Sequence, residues 1–318
     1  MTFVKRNLFF EIKLDANSSQ LGSKDQSQDA TFDKGGTTLS LQGIRSRATI
    51  QSSVGGDTAY SGMAVVQIWG MDPNDMAKLS TMGFDQGKIG RNTISIQAGD
   101  DESGNYAEVF SGGIFSAHIN YNEMPDVSVT LECYATINEQ AQAIPGTSAP
   151  GAADVAAMLQ GICAACNPPL NFINSGVTAV LSNHAVAGSA AQQIKDICLA
   201  AGICHEFQPT GTLRIWPKDQ SKDGVVVSVT PGKGMVGHPE YTSYGLAVTT
   251  EFDPAIQLGR QMKINQPDPV PGRQPYKVPG VPGTFWICIV SHDLSAELPG
   301  GPWFTRAELS NQQIIGFH

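Results

Sequence analysis

Short runs in which apolar and polar residues alternate fill the first part of the chain, separated by glycine, asparagine and aspartate. That period of two predicts strands at Leu8–Leu14, Thr37–Leu41, Ala48–Gln51, Ala64–Trp69, Asn92–Gln97, Glu108–Asn120 and Asp126–Ala135. One helix is predicted among them, with Asp72 as its cap, Pro73 at its first position and Met76 and Leu79 as its short apolar face. Further along the period changes. Val155, Met158, Leu159, Ile162, Cys163 and Cys166 follow helical spacing, which predicts an amphipathic helix over Asp154–Cys166 and a strand at Leu170–Ile173. A second helix is expected at Ala190–Ala201, a strand at Cys204–Gln208, and a hairpin through Pro209-Thr210-Gly211 to Leu213–Trp216.

The two helix–strand units are related. GICAACNPPLNF from Gly161 aligns without a gap to DICLAAGICHEF from Asp196, matching Cys163 to Cys198 and Phe172 to Phe207, an internal repeat with a 35-residue offset. The pattern therefore predicts a first β domain over 1–142, a small-residue linker over 143–150, an α/β module with an internal repeat over 151–218, and a second β domain over 219–318. In this last part Val225–Val229 and Leu246–Phe252 read as strands, and Ile256, Leu258, Met262 and Ile264 read as the start of another. Asn265–Gly283 holds six prolines and no strand pattern, so it is expected to be an extended loop and is the first candidate for contact with a neighbouring subunit.

Composition narrows the reading. A chain of 318 residues, 41% hydrophobic and 15% charged, has room for more than one core, and 34 glycines with 19 prolines favour a turn-rich, mainly β protein of the α+β class. A net charge of −9 argues against a surface that grips phosphate backbones. No run approaches the length of a membrane-spanning helix, and MTFVKRNLFFEIKL reads as a strand, not a signal peptide.

The chemistry-bearing residues form no recognisable set. Cys163-Ala-Ala-Cys166, with Cys198 and Cys204-His205 downstream, has the outline of a zinc or redox site. Both cysteines of the pair, however, continue the apolar stripe of one helix, and Cys166 is matched by Ala201 in the second repeat, so buried structural thiols are expected. His118, His184, His205, His238, His292 and His318 make no metal-ligand or acid–base spacing. Gly232-Lys233-Gly234 lacks the residues of a phosphate loop, and Asp100-Asp101-Glu102 reads as a solvated turn and not a calcium loop. The expectation is no catalytic, cofactor-binding or metal site, and no cofactor.

Three stretches carry a resemblance. The first, within residues 228–264, is the turn Thr230-Pro231-Gly232-Lys233-Gly234-Met235-Val236-Gly237-His238-Pro239, an alternating strand, then Phe252-Asp253-Pro254-Ala255-Ile256-Gln257-Leu258-Gly259; the others are Ala64–Leu79 and Phe285–Thr305. In this order they resemble bacteriophage baseplate hub proteins, which lie between tail tube and central spike. The resemblance implies two tail-tube-like β-barrels flanking the α/β module in a non-enzymatic virion subunit assembled in the host cytoplasm. It further implies a homotrimer whose partners are the tail tube or distal tail protein, the central spike and other baseplate subunits, with DNA passing through an acidic lumen without specific binding. Composition also allows an alternative, a tail-associated cell-wall hydrolase or a secreted β-rich binding module.

Overall fold

The computed structural model describes residues 5–14, 38–53, 62–80, 92–100, 104–122, 124–208, 211–232, 234–243, 245–265 and 281–313. Most of the proline-rich stretch, Asp101–Ser103, Pro209–Thr210, Lys233 and His318 lie outside the described residues. Strand accounts for 55% of the structure and helix for 14%, so the protein is mainly β. The chain divides into two compact units, one from Met1–Ile50, Gly62–Asn138 and Asp293–Pro302, the other from Gln51–Ser61, Glu139–His292 and Trp303–His318.

In the first unit the strands are β1 (Arg6–Lys13), β2 (Thr38–Gln42), β3 (Ser46–Ser53, whose last three residues count with the second unit), β4 (Gly62–Trp69), β5 (Thr93–Asp100), β6 (Tyr106–Asn120) and β7 (Ser128–Tyr134). They run β3-β4-β7-β6-β5-β1-β2 across the sheet. Alternation sets which face is buried: Leu8, Phe10 and Ile12 of β1 and Ala64, Val66 and Ile68 of β4 are fully buried, each large side chain contributing about 1.5–3 kcal/mol of burial. Gly112 lies where β6 passes β7 closely, since a Cβ there would stand 2.5 Å from the carbonyl oxygen of Tyr134. Helix α1 (Pro73–Leu79) begins as its sequence predicts, with Asp72 accepting a 2.8 Å bond from the Asn74 N–H and Met76 and Leu79 buried.

Helix α2 (Ile137–Ala141) leads into the second unit. There follow β8 (Thr147–Asp154), α3 (Val155–Ala165), β9 (Asn171–Asn174), β10 (Val180–Val186), α4 (Ala190–Ala201), β11 (Ile203–Gln208) and β12 (Thr212–Pro217). Asp154 and Ser189 cap the two helices by accepting from Ala156 N and Gln192 N, and Gly202 closes α4 in the left-handed conformation, φ 64°. Residues 143–150, expected to be a linker, are instead built into the unit. Ala143 bridges Ser189, Gln142 pairs with both backbone groups of Asn167, and Thr147–Asp154 is strand β8 against β10. The fully buried Gln193 side chain supplies the reason. It accepts from Thr147 N (3.1 Å) and Thr147 Oγ1 (2.8 Å) and donates to the carbonyls of Pro145 and Gly188, satisfying backbone groups that a solvated linker would leave to water.

The remaining strands are β13 (Val226–Pro231), β14 (Gly234–Met235), β15 (Glu240–Tyr241), β16 (Leu246–Glu251), β17 (Gln261–Ile264), β18 (Gly283–Ala296, passing into the first unit at Asp293) and β19 (Trp303–Ser310). Pairing runs β16-β14-β13-β17-β18, and β19 joins β18 back to β16, so six strands close a barrel with β15 attached outside. Val227, Val229, Leu246, Val248, Met262, Ile264, Ile287 and Leu309 fill its core. The strand expected to begin at Ile256 starts only at Gln261. Asp253 accepts from Ala255 N at 2.8 Å and Arg260 Nη1 donates to Ala255 O at 2.8 Å. Those bonds fold 253–260 into turns that still bury Ile256 and Leu258.

Candidate functional site

The three-stranded sheet β11-β12-β9 has two occupied faces. Ile203, Leu213 and Ile215 turn to helices α3 and α4, whereas Cys204 and Trp216 point the other way and join the barrel core, as strand alternation requires. Trp216 is fully buried against Gly259, where φ is +70° and an added Cβ would stand 2.4 Å from Trp216 Cζ2. Glycine at 259 is thus needed twice, for its backbone conformation and for the approach of the indole ring.

Charged groups flank this contact. Lys222 Nζ lies 2.8 Å from Glu206 Oε2 with side chains 2% and 12% exposed, and Lys222 N donates to Gly259 O. Arg260 holds Asp223 at 2.7 Å. On the open side, a cleft of about 700 Å³ is lined by Gly176–Ala179, Ala201–Ile203, Pro217–Gln220, Gln312 and Gln313. The arrangement packs the α/β module on the barrel and offers a cleft surface that includes Lys218 and Asp219.

The singled-out residues fall as follows. Cys163 and Cys166 are buried, 1% and 4% exposed, in the core shared by α3 and α4, with Cys198 beside them. Burial pushes the Cys163 thiol up to about 12 and the Cys166 thiol up to about 11, with the neighbouring Glu139 acting in the same direction; such thiols are poor nucleophiles. Among the described residues no group of three or more His, Cys, Asp or Glu is arranged to hold a metal. His118 and His238 are exposed, and His184 is half-buried. His205 and His292 are buried, and burial lowers each to about 4, with Lys195 adding to the effect at His205. His292 lies within β18, with Nδ1 2.9 Å from Thr305 Oγ1.

Exposed apolar groups mark the surfaces. In the first unit Tyr121 and Met124, 60% and 72% exposed, stand on the turn between β6 and β7. Beside that turn Arg45 binds Asp126 at 3.1 Å and stacks over Trp69 at 4.7 Å. In the second unit Val226, Tyr241 and Phe304 stand on the barrel exterior.

A family model described as "Baseplate hub gp41" matches residues 76–267, more than half of the chain. The chain belongs to the baseplate hub gp41 family. This hub subunit is a structural protein of the baseplate, and its solved neighbours have the same fold. The 43 kDa tail protein of prophage MuSo2 from Shewanella oneidensis superposes with a TM-score of 0.57 at 10% identity, over 96% of this chain and 97% of that one. A tail protein from Neisseria meningitidis MC58 gives 0.55 at 11% identity over 84% and 95%. The Escherichia coli c3393 protein, a component of the type VI secretion system, gives 0.55 at 8% identity over 86% and 75%. No curated protein matches the sequence. In the hub subunit, the turn Phe252–Gly259 that carries part of the resemblance ends at the glycine under Trp216. Gln193, Gln313 and the Lys222–Glu206 pair escape sequence reasoning, because isolated polar residues leave no periodic signal.

Proposed function

We propose that the hub subunit joins the tail tube to the central spike and lines the channel through which DNA leaves, acting as a homotrimer and without catalysis. The closed six-strand barrel of the second unit carries this reading. A barrel has no free sheet edge, so its outer wall can be packed around a ring without open-ended strand addition. The strand-rich first unit supplies a second wall, and two barrel-like parts per subunit in a trimer give six similar surfaces, matching a six-fold tube to a three-fold spike. The formal charge of −9 suits a conduit that repels phosphates and lets the duplex slide. One neighbour of the same fold is described as similar to the T4 bacteriophage tail proteins gp27 and gp5, in keeping with tube, spike and other baseplate subunits as partners and with the tail as location, after assembly in the host cytoplasm.

The test is the mass of the purified chain in solution, alone and mixed with the spike protein of its own phage. A trimer that takes up the spike is expected. A stable monomer in both samples overturns the reading, as does cleavage of peptidoglycan by the purified protein.

A further inference from the structure

The chain passes from β12 to β13 through the strap Pro217–Gly224, gripped from two sides by residues distant in sequence. On the barrel side Lys222 N donates to Gly259 O, and Asp223 is bound by Arg260. On the cleft side the grip comes from the end of the chain. Gln313, 6% exposed, lies three residues beyond β19. With its amide oriented to suit its neighbours, it accepts from Trp216 Nε1 at 2.6 Å and donates to Gln220 O at 3.2 Å and to Lys218 O.

We infer that Gln313 is a clasp: it secures the strap Pro217–Gly224 at the joint between the α/β module and the barrel, and its withdrawal lets that strap open locally while the barrel stays closed. Three features carry this. Its three hydrogen bonds all go to the strap or to the tryptophan at the strap's root, so the side chain bridges the end of β19 to the module. Removing it leaves the indole N–H of the fully buried Trp216 without its acceptor, while the carbonyls of the exposed residues Lys218 and Gln220 turn to water, which favours a state in which water also reaches the indole. The cleft of about 700 Å³ bordered by Gln313 and Lys218–Gln220 gives water that access without disturbing any barrel strand. The ring β13-β17-β18-β19-β16-β14 is closed by backbone pairing in which Gln313 takes no part.

Hydrogen exchange on the full chain tests the clasp. Gln313→Ala is expected to speed amide exchange across Leu213–Gly224 by about tenfold, while β16 and β18 keep wild-type protection, because opening is local. Trp216→Phe, which keeps a ring and removes the N–H, should give a smaller rise, and the two changes together should be less than additive because they break one shared bond. Should Gln313→Ala fail to accumulate as folded protein, Gln313→Met keeps a side chain of similar length without the amide and is read in the same way. Unchanged exchange in the strap, or a rise spread equally over β16 and β18, overturns the inference.

Discussion

His292 shows how much one buried side chain can say about solution behaviour. Its ring is bonded to Thr305 and stands edge-on to Phe252 at 5.6 Å, while Phe252 packs on Trp303 at 5.4 Å. Burial holds His292 and His205 near pKa 4, below the ordinary 6.5, so between those values the unfolded chain binds more protons than the folded one. Stability from both histidines is therefore complete above pH 6.5 and drains away as the pH falls toward 4. The loss between pH 7 and pH 5 should be on the order of 2 kcal/mol per histidine. Urea unfolding at the two pH values measures it, and His292→Phe should flatten part of the slope; an unchanged slope would count against a neutral buried imidazole at this position.

Among elements, the entry to the α/β module depends on one glutamine. Helix α4 carries Gln193 on its buried side, where an apolar residue would be expected, and its amide secures Pro145, Thr147 and Gly188. Gln193→Ala should lower stability by about 2–3 kcal/mol, since several buried backbone groups lose a partner together. In thermal or urea unfolding that loss should exceed the effect of Gln192→Ala, whose bond to Asp196 lies at a half-buried position. Residues 143–150 have the composition of a linker because small residues and prolines carry no period. Pro145 and Thr147 find a partner in Gln193 of α4, about 45 residues away in the chain, and Thr147–Ala149 pair with β10.

For the whole molecule, the proposed function rests on surfaces offered to neighbours, with the proline-rich stretch 265–283 as the proposed contact element. At its N-terminal side Asn265 is secured by its amide to Ser228 Oγ at 2.8 Å, and at its C-terminal side Gly283 opens β18. Ser228 lies on β13 and Gly283 on β18, both strands of the barrel. Shortening the stretch between them should leave the melting temperature of the isolated subunit close to wild type, since the cost of loop closure varies slowly with length, while lowering the yield of assembled tails. Equal yields would make the stretch a surface excursion with no role in assembly.

The amino-acid order by itself determined what depends on near neighbours along the chain. The period-two runs around Leu8–Ile12 and Ala64–Ile68 became β1 and β4, Asp72-Pro73 opened α1, and the apolar stripe through Ile162 and Cys163 went into a core, because alternation, capping and helical spacing act over a few residues. The order of weak motifs also carried the hub resemblance, which the family match shows. Tertiary structure alone decided the rest. Closure of the barrel depends on β19 pairing with both β16 and β18. The seat of Trp216 depends on a glycine 43 positions away, and the clasp on a glutamine three residues after β19. These outcomes follow from hydrogen bonds and packing between residues far apart in sequence, whose identities mark the chain only when their partners are known.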